Sequence, residues 1–136
     1  MNILLVEDEP TLAESAIAQM ESRGHTVHYA KDLEGAHNIL KDQSFTIQLI
    51  IADHNLPDGL GVDFAIAVKG TYPRMESAIV SGCLTPADVE RLELVGIPYF
   101  HKPLLYAKVL DRLRRLKAER AATRPPIPTE EKTEES

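Results

Sequence analysis

Carboxylates directly follow two apolar runs of the chain. Glu7 and Asp8 come after residues 3–6, and Asp53 comes after the run that ends at residue 52. Acids that share one cleft repel each other, and they therefore take up protons or bind a cation. Hard oxygen ligands suit Mg²⁺, which takes one or two carboxylates from a protein and keeps several waters. The three acids predict a magnesium site if the two strand ends lie side by side.

A hydroxyl and an ammonium group follow two further apolar runs. Ser81 comes directly after residues 78–80, and Lys102 comes two residues after the run 97–100. Lys102 supplies a compact positive charge and Ser81 supplies a hydrogen-bond donor. With a divalent ion, these groups could stabilise a phosphoryl group that moves onto a carboxylate. Asp53, which follows the central run, is the natural acceptor.

The elements that must position these groups are five short apolar runs that alternate with segments of helical periodicity. The runs are 3–6, 27–30, 47–52, 78–80 and 97–100. The second mixes polar and apolar residues, and the fifth contains Pro98, which cannot donate to a ladder and favours an edge. We therefore predict an α/β doubly wound five-stranded parallel sheet in the order 2-1-3-4-5, with right-handed crossovers.

Helix boundaries follow from capping residues. Asp32 is predicted to cap the second helix, Thr85 and Asp88 to begin the fourth, and Gly96 to end it. The residues predicted to face inward from the third helix are Leu60, Phe64, Ala67 and Val68. In an open parallel sheet, functional groups gather at the carboxyl ends of the strands. The acids, Ser81 and Lys102 all come at such ends.

Composition narrows the class of protein. The 136 residues fit one domain, and 43% apolar with 26% charged residues is typical of a soluble globular protein. The early acids argue against a signal peptide, and no apolar stretch reaches the length of a membrane span, so we expect a cytoplasmic protein without membrane contact. We predict a domain over 1–121 and, because 122–136 lacks apolar periodicity, a disordered tail over 122–136.

Charge argues against direct binding of nucleic acid. The net charge is −6, and nonspecific binding to phosphates needs clustered Lys and Arg. A basic stretch does occur between Lys108 and Arg120, but no aromatic residues are interleaved with its cations. It is more typical of a solvated helix face. The five histidines lack metal-ligand spacing, and we interpret them as non-ligands.

Four segments of the chain resemble the motifs of response-regulator receiver domains, the CheY-like domains of two-component signalling. They are Leu4-Leu5-Val6-Glu7-Asp8-Glu9, Ile50-Ile51-Ala52-Asp53-His54-Asn55-Leu56-Pro57-Asp58-Gly59, Val80-Ser81-Gly82 and Tyr99-Phe100-His101-Lys102-Pro103. They occur in the family's order over residues 1 to about 120. The resemblance implies a flavodoxin-like fold, and because the strand order given above is already known for this family, the two inferences are not independent.

The resemblance implies a role for each acid at the site. Asp53 resembles the phosphoacceptor, and Asp8 resembles a direct Mg²⁺ ligand beside it. Glu7 resembles the second acid of the pair, which acts on the metal through water. The backbone carbonyl of Asn55 resembles a further ligand.

The resemblance also implies switch residues and partners. Ser81 stands where threonine is more usual and resembles the hydroxyl that turns toward the phosphoryl group, Lys102 resembles the ion-pairing lysine, and Tyr99 resembles the aromatic switch. Gly96-Ile97-Pro98 departs from the residues usual before that aromatic. The expected donor is a histidine kinase or a phosphotransfer protein. The domain would catalyse only its own phosphorylation and dephosphorylation, and its fourth helix, fifth strand and fifth helix would then bind an unknown downstream protein.

Two other functions compete with this interpretation. A pseudo-receiver would bind its partner without phosphorylation, although no chemical group of the site is missing here. A hydrolase of the haloacid dehalogenase class would also use an aspartyl nucleophile with Mg²⁺. That class places its nucleophile after the first strand, whereas Asp53 follows the third.

Overall fold

Five parallel strands form one sheet in the computed structural model, which describes residues 1–123. The strands of this sheet are numbered in chain order: β1 (Asn2–Val6), β2 (Thr26–Ala30), β3 (Leu49–Asp53), β4 (Glu76–Ser81) and β5 (Tyr99–His101). Their order is β2-β1-β3-β4-β5, with every neighbouring pair parallel. The structure confirms the predicted order and both edge strands.

Burial explains which strands are central. All five residues of β3 are buried, whereas β2 buries only Ala30 completely. The fifth strand begins at Tyr99, so Pro98 precedes it and does not lie inside it as predicted. The Pro98 carbonyl still accepts a hydrogen bond from the Ile79 backbone N–H at 3.0 Å, because a proline lacks only the donor.

Five helices cover the sheet. They are α1 (Pro10–Glu21), α2 (Leu33–Lys41), α3 (Gly61–Thr71), α4 (Pro86–Val95) and α5 (Tyr106–Thr123). None of them combines the length and apolar character that crossing a bilayer requires, in the part of the chain that the structure describes. Helix α5 runs two residues past the predicted domain end at 121, and the rest of the predicted tail, 124–136, lies outside the described residues.

Three predicted caps are confirmed. The Asp32 carboxylate accepts a hydrogen bond from Gly35 N at 2.8 Å and begins α2. Thr85 and Asp88 form a reciprocal capping box at the start of α4. Gly96 ends that helix in the left-handed conformation, with φ at 73°, which glycine adopts without a steric cost.

The two faces of the sheet bury separate apolar layers. Leu4 and Ile50 pack against the side of α2, α3 and α4, and Leu5 and Ile51 pack against the side of α1 and α5. This alternation follows from the two-residue period of a strand. Each strand end can therefore be held rigidly from both sides.

The predicted inner face of α3 is wrong at two positions. Leu60 is 41% exposed and Ala67 is exposed, whereas Val62 and Ala65 are buried beside the correctly predicted Phe64 and Val68. Leu60 lies outside because it belongs to a two-residue antiparallel ladder, Asn55–Leu56 against Gly59–Leu60, which precedes the helix. The buried stripe therefore starts in the first turn after that ladder.

Candidate functional site

Asp53 ends the central strand β3, and its carboxylate is held from two directions. Oδ1 accepts a hydrogen bond from His54 N at 2.7 Å, and Oδ2 accepts one from Lys102 Nζ at 3.1 Å. The residue is only 8% exposed. Both carboxylate oxygens of Asp53 thus accept hydrogen bonds, which fix the orientation of the side chain.

Glu7, Asp8 and Asp53 come together at this end of the sheet. One carboxylate oxygen from each lies within 4.8 Å of the others. The closeness follows from topology, because β1 pairs directly with β3 up to Val6 and Ala52, and the acids follow that register. Glu7 is buried and Asp8 is exposed, so the pocket opens to solvent on the side of Asp8.

Lys102 brings a cation into the same pocket from β5. Its backbone N–H donates to the Ser81 carbonyl at 2.9 Å, and its Nζ donates to Glu7 Oε1 at 2.8 Å as well as to Asp53. Burial alone would lower the pKa of Lys102, but the hydrogen bond to Glu7 and the attraction of Asp53 raise it above its ordinary value. Lys102 is therefore fully charged at neutral pH.

The charge of Glu7 depends on its neighbours. Burial raises the pKa of this carboxyl, more than the hydrogen bonds from Lys102 and from the Glu9 backbone N–H lower it. An ionised carboxylate with so little solvent contact needs cations close by. A second positive charge would therefore be stabilised in this pocket.

The predicted switch residues lie near the site but are engaged elsewhere. Ser81 is fully buried, and its Oγ donates to the Cys83 carbonyl and accepts from the Cys83 N–H, both at 3.1 Å. Tyr99 is half-buried, and its hydroxyl donates to Glu93 Oε2 on α4 at 2.9 Å. In this conformation, both side chains contact the region around α4 rather than Asp53.

The segment after Asp53 is pressed closely against it. Asn55 is exposed and lies in the short ladder two residues beyond the acid. Gly61 N donates to the His54 carbonyl at 2.6 Å, and a Cβ at position 61 would overlap the Asp53 carbonyl oxygen. Only glycine fits there, so Gly61 fixes the course of the chain around Asp53.

Sequence reasoning missed two residues at this site. His54 is predicted only to be a non-ligand, and neither its low exposure of 5% nor its contacts with two helices are predicted. Tyr106 is also buried, its hydroxyl has no hydrogen-bond partner among the described residues, and burial with the nearby charge of Glu7 raises its pKa to about 12. The spacing of Tyr106, Val109 and Leu113 as an apolar stripe could have indicated its burial.

Comparisons with known proteins agree with the geometry. The family profile described as response regulator receiver domain matches residues 3–114. The chain is 32% identical over 120 residues to a gliding motility regulatory protein of Myxococcus xanthus, and the aligned region covers 83% of the chain and 15% of that protein. It is 28% identical over 130 residues to the response regulator RppA of Synechocystis sp., and the aligned region covers 95% of the chain and 56% of RppA.

A solved structure also resembles the chain over nearly its whole length. The non-phosphorylated HemR receiver domain of Leptospira biflexa superimposes with a TM-score of 0.74 at 28% identity, covering 93% of this chain and 98% of that one. The curated relatives are longer, since the chain spans between 10% and 56% of their length.

Proposed function

Because the chain belongs to the response regulator receiver domain family, we propose that Asp53 accepts a phosphoryl group from a histidine kinase or a phosphotransfer protein. The observation that carries the proposal is the convergence of Glu7, Asp8, Asp53 and Lys102 in one pocket. A carboxylate oxygen of Asp53 attacks phosphorus, an acyl phosphate bond forms, and the bond from phosphorus to the donor nitrogen breaks. The nitrogen keeps the electron pair and takes up a proton.

Two contacts of Asp53 favour this transfer. The N–H of His54 holds Oδ1 and so orients the carboxylate for attack. Lys102 already donates to Oδ2, and the same ammonium group can follow the negative charge onto the phosphoryl oxygens. Both donors are in place before the reaction, which lowers the cost of reorganisation.

The donor set of the pocket fits Mg²⁺. Three carboxylates supply hard oxygen atoms within 4.8 Å of each other, and the exposed side near Asp8 leaves room for water. We propose that Asp8, Asp53 and the carbonyl of Asn55 bind the ion directly and that Glu7 contacts it through water. The ion would neutralise charge shared by the carboxylates and the phosphoryl oxygens.

Switching would proceed through the two residues that now hold the region of α4. Ser81 would leave Cys83 for the phosphoryl oxygens, and Tyr99 would leave Glu93 and turn inward. The surface of α4, β5 and α5 would change and bind a downstream protein. The domain would act in the cytoplasm and would catalyse only its own phosphorylation and dephosphorylation.

Intact-mass measurement tests the proposal. The wild-type chain, incubated with Mg²⁺ and a small-molecule phosphodonor, should gain one phosphoryl group, and chelation of the metal should suppress the gain. Asp53→Asn should gain none, whereas the control Asp63→Asn, which alters an exposed acid on α3, should behave as wild type. An equal gain on Asp53→Asn would contradict the proposal by showing that another residue is phosphorylated, and no gain on the wild type would contradict it and favour a pseudo-receiver.

A further inference from the structure

The His54 side chain lies between the end of β3 and the start of α4. Its Nδ1 accepts a hydrogen bond from the Val62 backbone N–H at 3.3 Å, and its Nε2 lies 3.3 Å from Oδ2 of Asp88. The imidazole is 6% exposed and the Asp88 side chain is 15% exposed. The imidazole of His54, the residue after the phosphoacceptor, therefore contacts two helices in a region with little solvent exposure.

The hydrogen-bond pattern fixes the tautomer of His54. Because Nδ1 accepts from a backbone N–H, its lone pair is occupied and the ring proton of the neutral imidazole lies on Nε2. Nε2 lies 3.3 Å from the Asp88 carboxylate, so the two side chains make a close electrostatic contact. Removing Nε2 would remove this contact alone.

Asp88 connects His54 to the loop that follows Ser81. The same Oδ2 atom accepts from Thr85 N at 3.1 Å, and Asp88 N donates to Thr85 Oγ1 at 3.1 Å. Only four residues, 82–85, separate Ser81 from the first residue of α4. The far end of this short loop is thus fixed by His54, while its near end is fixed by the two bonds between Ser81 and Cys83.

We propose that His54 is a positioning residue that holds the start of α4 against β3 and thereby keeps Ser81 turned away from Asp53 in the unmodified protein. The inference rests on the proposed function, because it concerns the movement that phosphorylation causes. Ser81 must give up both bonds to Cys83 to turn toward Asp53, and a four-residue loop anchored at its α4 end opposes that movement. The His54–Asp88 contact therefore sets the population of the switched conformation before any phosphoryl group is present.

Two substitutions of His54 separate the contact with Asp88 from the contact with Val62. The amide oxygen of His54→Asn stands near the position of Nδ1 and still accepts from Val62 N, but nothing replaces Nε2. The amide nitrogen of His54→Gln reaches the position of Nε2 and can donate to Asp88. The pair forms a matched test, with His54→Gln as the conservative rescue.

Hydrogen exchange of the Cys83 amide measures the opening of the loop, because this N–H bonds Ser81 Oγ. In the unmodified protein, His54→Asn should exchange roughly five to ten times faster than wild type, as expected for the loss of one contact between a polar group and a carboxylate. His54→Gln should stay within about twofold of wild type. Equal exchange in wild type and His54→Asn, or equally fast exchange in both variants, would overturn the inference.

A double-mutant cycle tests the contact from its other end. Asp88→Asn should also raise Cys83 exchange, and the double variant with His54→Asn should exchange no faster than the faster single variant. Multiplying effects would show that the two residues act independently and would contradict the proposal. If His54→Asn does not fold, Asp88→Asn alone decides, because Cys83 exchange equal to that of wild type would contradict the proposal.

The rate of phosphorylation supplies a readout that a merely structural role would not raise. With saturating Mg²⁺ and a small-molecule phosphodonor, His54→Asn should form the Asp53 adduct about five times faster than wild type, because the switched conformation is more populated. Its Mg²⁺ affinity should be unchanged. A wild-type chain that forms no adduct refutes the proposed function, whereas Cys83 exchange still decides the role of His54.

Discussion

Lys102 Nζ lies 2.8 Å from Oε1 of Glu7, a residue 95 positions earlier in the chain. The carboxylate is almost entirely buried, and the ammonium group is its only cationic partner among the residues that the structure describes. Lys102 therefore stabilises the anion of Glu7. The same geometry supports the role that we propose for Lys102 in the phosphorylation of Asp53.

Replacement of Lys102 by alanine should destabilise the protein. Two buried acids would lose their shared partner, and we expect the free energy of unfolding at neutral pH to fall by about 1–3 kcal/mol. Urea denaturation measures this change, with Lys108→Ala on the exposed face of α5 as the control. Added Mg²⁺ should narrow the gap between Lys102→Ala and wild type, since the ion supplies charge to the same acids. No loss of stability would show that Glu7 does not depend on Lys102.

Two glycines of α3 give opposite predictions for the same substitution. Gly61→Ala should destabilise the fold by about 1–3 kcal/mol, because its Cβ would overlap the backbone of Asp53. Gly70→Ala should stabilise it by about 0.5–1 kcal/mol, because nothing lies within 4 Å of the new Cβ and alanine favours a helix. Thermal unfolding of the two variants and of wild type measures both changes in stability. Equal effects would refute the close approach at Gly61.

Gln19 on α1 caps the start of α5. Its Oε1 accepts hydrogen bonds from Tyr106 N at 2.6 Å and from Ala107 N at 3.3 Å. Gln19→Ala should lower the free energy of unfolding by about 1 kcal/mol, whereas Gln19→Glu keeps the acceptor, and its charge suits a helix N-terminus. Ser15→Ala removes only the other bond of the Gln19 amide and serves as the control. The cap is ruled out if Gln19→Ala and Ser15→Ala unfold alike.

The contact between Arg23 and Asp111 should make stability depend on acid pH. The hydrogen bond from Arg23 lowers the pKa of Asp111 from 3.8 to about 2. The folded protein therefore binds this proton less tightly than the unfolded chain, so the stabilisation is complete above about pH 4 and is lost as the pH falls toward 2. The Tm of Asp111→Asn should lie below that of wild type at neutral pH and approach it near pH 2. Glu14→Gln, an exposed change on α1, should show no such convergence.

The sequence predicted the contacts that local patterns encode. Apolar runs and their edge signals agree with the strand order, which is also the order known for the family, and that order brings Asp53, Glu7 and Asp8 to one end of the sheet. Capping residues within one helix, such as Asp32 and Thr85, were also found. These caps depend on residues that lie within a few positions of each other.

Several polar contacts between distant segments, outside the acidic pocket, escaped prediction. The Asp58 carboxylate accepts from Leu33 N and Glu34 N at 2.9 and 3.0 Å and so caps α2 from another loop. Gln19 does the same for α5, and His54 reaches Asp88 across the site. A polar side chain of this kind has many possible partners, and only the packed arrangement of helices on the sheet selects one.

Chemical mapping of the phosphoryl group tests the central claim most directly. Borohydride reduces an acyl phosphate of aspartate to homoserine, so peptide mass spectrometry after treatment of the phosphorylated protein identifies the modified residue. We predict homoserine at position 53 alone, formed only with Mg²⁺ present. Homoserine at Asp8 or another acid, with Asp53 unmodified, would contradict the account.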